Sequence, residues 1–235
     1  MVDIKEIIAA FPDYGEVVCY KPITAGHIND TYVVDYKLEN GSLSRYLLQR
    51  INTNVFKMPV EVMENVMGIT AHLRKKIEAY GGDPERETLT VFPAKDGKNY
   101  HVAEDGGFWR MYNFVDNTFS INELTNAEDF KNAAISFGNF QKLLADYPIE
   151  TLYDTIPNFH NTPSRFNDFK VALEQNLSGR KDEAQPEIDF VLARENDCGV
   201  IVEMLEKVKK ALGVTGTYMD DTVGIYIDTV TDYMK

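Results

Sequence analysis

The chain has 235 residues, of which 44% are hydrophobic and 11% aromatic, enough to bury a sizeable core as one large domain or two small lobes and too apolar for a disordered tract. Its formal net charge of -13 argues against a nucleic-acid backbone as main partner, since neutralising phosphates takes clustered Lys and Arg. With no run of about 18 apolar residues to span a bilayer and a start, "MVDIKEIIAAF", unlike a secretory signal, a cytoplasmic protein without membrane contact is expected.

"DIKEIIAAF" places Ile4, Ile7, Ile8 and Phe11 at helical spacing behind the capping residue Asp3, and Pro12 ends the element. Three strand-like runs follow: 16–23, containing Cys19, then 30–38 and 44–52. The Asn-Gly of "ENGS" between the last two is a tight-hairpin signal, so an antiparallel meander is expected. Cys19 and Cys198 are far apart and in no CxxC pattern, and read as core thiols.

A long helix then opens at Pro59 and runs through Val62, Met63, Val66, Leu73 and Ile77 to the break "GGDPE". "TLTVFPA", "NYHVAE" and "FWRMYNFV" read as further strands, divided by "KDGK" and "EDGG". From about residue 116 the pattern turns helical. "NAEDFKNAAISFGNFQKLLADY" carries Phe130, Ala134, Phe137, Phe140 and Leu144 along one face, and "NTPSRFNDFKVAL" begins with Thr162 as expected N-cap and Pro163 at N1. "PEIDFVLAREN" and "VIVEMLEKVKKAL" add two more helices. The fold class expected is α+β: an antiparallel β-rich lobe with one long helix, residues 1–115, then a mostly helical lobe, residues 116–235. The junction of two such lobes is a common nucleotide cleft.

Six segments in order, "GHINDTYVV", "RYLLQRIN" with "NVF", "GGFWRMYNFV", "FGNFQKLL", "FHNTPSRFNDFKVAL" and "QPEIDF", together resemble the N-acetylhexosamine 1-kinase branch, sometimes called mucin desulfatases, of the aminoglycoside phosphotransferase and choline kinase-like superfamily. The resemblance spans roughly residues 20 to 212. It implies a protein-kinase-like fold, ATP and Mg²⁺ as cofactors, and phosphorylation of the anomeric hydroxyl of an amino sugar.

Carried over residue by residue, the resemblance puts the turn Gly26, His27 and Asn29 over the nucleotide phosphates, where a short Gly-containing turn lets backbone N–H groups approach phosphate oxygens. The same residues also suit an ordinary hairpin. Gln49 stands where kinases have the third-strand lysine, and the branch looks similar there. Arg50 is turned to the other face by strand alternation. Glu61 and Glu64 are the choices for the glutamate that such a lysine pairs with. Backbone groups from Tyr112 to Phe114 would meet the adenine, while Trp109, Met111 and Phe114 also fit a plain core. In "HNTPSRFNDF" helix capping and aromatic packing explain the residues without a ligand.

The resemblance fails at the C-terminus. Phosphoryl transfer needs a carboxylate for the attacking hydroxyl and Asn and Asp ligands for Mg²⁺, which the family takes from an H-N-D-x-K-x-N-N loop and a later I-D-x-D segment. After "KKALG" this sequence reads "VTGTYMDDTVGIYIDTVTDYMK". The loop is missing, so no catalytic residue is assigned, and Asp228 is the best match to the metal-binding aspartate. Asp220, Asp221, Asp228 and Asp232 also read as a solvated acidic tail, and Asp154, Asp168 and Asp189 have no counterpart in the catalytic loop. The expectation is a family member truncated before or within that loop, with impaired activity. The alternative is a non-catalytic nucleotide-binding or partner-binding pseudokinase.

Overall fold

A computed structural model describes residues 3–12, 14–24, 26, 28–118 and 126–212. The protein is α+β. Helix α1 (Ile4–Ala9) precedes strands β1 (Glu16–Ile23), β2 (Asp30–Lys37) and β3 (Leu43–Ile51). The long helix α2 (Pro59–Ala79) and the short α3 (Pro84–Glu87) lead to β4 (Val91–Phe92), β5 (His101–Val102) and β6 (Phe108–Asn113). Helices α4 (Ala127–Leu144), α5 (Thr162–Gln175), α6 (Gln185–Leu192) and α7 (Val200–Leu212) complete the described chain. Among the described residues no helix is long and apolar enough to cross a membrane.

The antiparallel sheet has the order β1-β2-β3-β6-β4, with β5 on β6. The meander is built as the alternation predicts. Its β2–β3 turn closes through Asn40, whose side chain accepts from the Ser42 N–H at 3.0 Å, with Gly41 at φ 82°. A second glycine is demanded by space. Gly15 has φ 139°, and a Cβ there would lie 2.3 Å from the Lys37 carbonyl oxygen, so only a residue without one lets β1 start against the end of β2.

Strand periodicity divides the sheet into two faces. Val34, Tyr36, Leu48, Trp109 and Met111 lie on the buried one and pack with Ile7, Ile8 and Phe11 of the N-terminal segment and with Ala94 and Ala103. Asp3 caps α1 by accepting from Lys5 N–H at 2.9 Å. The Lys95 N–H bonds the Ala10 carbonyl at 2.9 Å, closing the segment over the core. An aromatic cluster extends it: Tyr14 stacks on Tyr46 at 4.6 Å and meets Tyr36 and Phe92 edge-on.

A smaller cluster of Leu73, Ile77 and Leu144 joins α2 to the end of α4. Asp146 ties the same place together, accepting from Lys76 and lying 3.2 Å from His72 Nε2. Asn65 of α2 exchanges two bonds with the backbone of Tyr153, at 2.8 and 2.9 Å. The apolar face expected along α4 is largely uncovered: of its residues only Leu144 is buried, and Phe137 is 72% exposed.

The chain divides into two compact units, Met1–Thr155 and Ile156–Lys235. The first unit therefore continues past residue 115, where strands give way to helices, and takes in α4. In the second unit α5 begins one residue earlier than the Thr162 cap expected from sequence. Asn161 is the N-cap, accepting from the Ser164 N–H at 3.0 Å, because its amide oxygen reaches the orphan donor while Thr162 already has helical geometry. Among the described residues Phe166, Ile188 and Leu205 are the buried apolar side chains of α5, α6 and α7, and Lys170 pairs with Glu195 at 2.9 Å.

Candidate functional site

The sheet face opposite the core carries the sequence-predicted site residues of the strands. In register, Thr31 faces Gln49 and Gln49 faces Arg110. Two residues along, Val33 faces Leu47 and Leu47 faces Tyr112. One further step brings Asp35 to Arg45. All but Arg45 are half-buried, and Arg45 is exposed. The face is thus a polar rung next to an apolar rung next to a charged one.

The polar rung is closed by hydrogen bonds. Gln49 Nε2 donates to Thr31 Oγ1 at 2.9 Å, and Gln49 Oε1 accepts from Arg110 Nε at 3.1 Å and Nη2 at 2.7 Å. The amide orientation is dictated by chemistry, since a guanidinium has only donors to offer. Arg110 Nη1 lies 3.7 Å from Met63 Sδ of α2, and its guanidinium sits 5.6 Å over the Tyr112 ring. Burial pulls the Arg110 pKa below its ordinary value, and burial likewise pushes the Tyr112 phenol up, with Arg110 opposing. Sequence reasoning missed Arg110. The signal was the β3–β6 register, which a residue separation of 61 hides from local pattern.

The rung stands at the end of β2 nearest the β1–β2 turn. His27 lies outside the described residues. A side chain placed on Gly26 would meet open space. Asn29 is engaged in holding the turn: its Oδ1 accepts from the Asn52 N–H at 2.9 Å, while Asn52 Nδ2 donates to the Ile28 carbonyl at 3.0 Å. Ile28 and Asn29 are therefore pinned to the end of β3.

At the other end, Phe114 follows β6, with the Arg45 guanidinium 5.0 Å over its ring. Arg45 is also bonded to Asp35 at 2.7 Å. The Val115 and Asp116 carbonyls already accept, from Thr118 and Arg86. Asn113 braces this stretch internally, accepting from Thr90 N–H at 2.8 Å and donating to the Glu85 carbonyl at 2.8 Å. Arg50, on the opposite face from Gln49 as strand alternation implies, pairs with Asp105 at 2.9 Å.

Neither Glu61 nor Glu64 is among the hydrogen-bond partners of the Gln49 side chain. Glu64 accepts from the Tyr153 hydroxyl, whose pKa is raised by that bond. In "HNTPSRFNDF" the polar groups serve the segment itself: Arg165 donates to the Phe159 carbonyl at 3.2 Å and lies 5.3 Å over that ring, beside the Asn161 cap. Among the described residues no group of three or more His, Cys, Asp or Glu is placed to hold a metal ion, and Asp228 lies outside them.

No family model matches the chain. Among solved structures, the chain is similar to the amicoumacin kinase hAmiN in complex with AMP-PNP, Ca²⁺ and Ami, with 16% identity and a TM-score of 0.40. The match covers 74% of this chain and 52% of that one, so this chain spans about half the length of the kinase.

Proposed function

We propose that the chain is a nucleotide-binding member of the ATP-dependent phosphotransferase superfamily, from the branch of sugar 1-kinases acting on N-acetylhexosamine. The observation that carries the proposal is the pair of adjacent rungs. Thr31–Gln49–Arg110 offers hydrogen bonds and positive charge beside the β1–β2 turn, and Val33–Leu47–Tyr112 offers an apolar surface beside Phe114. A nucleotide has the same two ends at a matching separation, since rungs two residues apart along a strand are about 7 Å distant.

In this reading the phosphates lie toward Gly26, His27, Asn29 and Gln49, and the base toward Tyr112 and Phe114. Residues 1–115 and 116–235 correspond to the two kinase lobes, and Asp228 is the match to a metal ligand. No step through Mg²⁺ belongs to the proposal. The 235 residues contain no H-N-D-x-K-x-N-N loop, and correct placement of the reacting groups is worth on the order of 7 to 11 kcal/mol. The chain is therefore proposed to bind nucleotide and to transfer phosphate to amino sugar poorly or not at all.

That same absence, together with a neutral Gln49 at the lysine position, favours a pseudokinase as second reading. One experiment orders them. The chain is titrated with ATP while its melting temperature is followed, then incubated with ATP, Mg²⁺ and N-acetylhexosamine. Stabilisation without sugar 1-phosphate supports a binding protein, and robust product formation restores the kinase. A melting temperature indifferent to millimolar ATP ends both.

A further inference from the structure

Arg110 differs from Arg45, Arg50 and Arg74. Arg45 has Asp35 at 2.7 Å, Arg50 has Asp105 at 2.9 Å and Arg74 has Glu85 at 2.9 Å. Arg110 is half-buried, yet among the described residues it has no carboxylate within ion-pair distance. Its partners are uncharged: the Gln49 amide, the Met63 thioether and the Tyr112 ring.

A guanidinium has five N–H donors. Gln49 Oε1 takes two of them and Met63 Sδ, a weak acceptor, faces Nη1. Two donors are left over together with the full positive charge. A cation drawn out of water and left without a counter-ion is unfavourable, so an arriving anion gains more here than at a solvated lysine. Gln49 suits this arrangement by residue type: glutamate there would neutralise the guanidinium and lysine would repel it, whereas glutamine fixes its plane through two bonds and leaves its charge intact.

Resting on the nucleotide reading above, we infer that Arg110 supplies the positive charge that meets the nucleotide phosphates on this face, and that Gln49 is its positioning residue, oriented in turn by Thr31. The charge a kinase carries on its third strand is displaced here to the neighbouring β6, and the third strand keeps the orienting amide.

The test compares ATP with adenosine on the whole chain by calorimetry. Wild type is expected to take ATP more tightly than adenosine, with the difference shrinking as NaCl is raised. Arg110→Met is expected to weaken ATP about ten- to a hundredfold, leave adenosine within about twofold, and remove the salt dependence. Gln49→Glu is expected to give the same selective loss, because its carboxylate occupies the guanidinium, and Arg110→Lys to recover part of the ATP preference. The inference is overturned if Arg110→Met binds ATP as wild type does, or loses ATP and adenosine alike. Should that variant fail to fold, Gln49→Glu decides: unchanged ATP preference refutes it. A wild-type chain that takes neither ligand refutes the nucleotide reading itself, and the assignment with it.

Discussion

The sheet and the helices that follow it solve the burial problem differently. In the sheet region Trp109, Met111, Leu48 and Val34 are nearly sealed from solvent by one another and by α1. Along α4 to α7 the described residues bury a single apolar side chain per helix: Leu144, Phe166, Ile188 and Leu205. Phe137, Phe190 and Leu177 are 72%, 58% and 90% exposed. Hydrophobic stabilisation follows area removed from water, not the hydrophobicity of the residue. Two sequences equally rich in phenylalanine can therefore differ widely in what each ring contributes.

The largest effect that sharpens this contrast is expected at Trp109. Trp109→Ala should lower unfolding free energy by about 3 to 5 kcal/mol, through lost burial and a residual cavity, read from the urea midpoint. A loss below about 1 kcal/mol would mean that the sheet core is not closed. Next comes Gly15→Ala, expected to destabilise by on the order of 1 to 3 kcal/mol because backbone strain joins the clash with the Lys37 carbonyl. In the second unit, Asn161→Ala should remove about 1 kcal/mol through the lost α5 cap, visible as reduced helical signal on mild heating.

The Asp146 junction between α2 and the end of α4 adds a pH test. The Lys76 bond, aided by His72, holds the Asp146 carboxyl below its ordinary aspartate range. A depressed carboxylate stabilises fully above its unfolded pKa and loses that contribution as pH falls through the folded one. Asp146→Asn should therefore lower the melting temperature at neutral pH and differ little from wild type in strong acid. Equal effects at both pH values would assign the loss to packing. The smallest stability change belongs to Phe137→Ser, within about 0.5 kcal/mol, accompanied by weaker binding of a hydrophobic dye. A large destabilisation there would show that the exposed face is covered in solution.

Much of the fold is legible in sequence where local signals agree. β1 spans the expected residues and β2 and β3 fall within one residue of them, because alternation, the Asn-Gly turn and β-branched content all point the same way. α2 opens at the expected Pro59. The short β4 and β5 are shorter than their runs imply, since pairing with β6 ends after two residues in each. The exposure of α4 was not legible: a periodic apolar stripe states which residues share a face, not whether anything lies upon it. Within the site, Gln49 stood out by residue type, while its partner Arg110 emerged only from the register that sets Leu48 against Met111 and so Gln49 against Arg110.

The reciprocal tie between Asn29 and Asn52 has a kinetic consequence. The Asn52 amide hydrogen is held by a side chain of the β1–β2 turn, so it can reach solvent only when that turn lifts from the end of β3. Its rate of exchange with deuterium is then a clock for the opening of the turn, distinct from the slower clock of the strand amides beside it. A ligand that settles beneath the turn should slow the first clock before it affects the second.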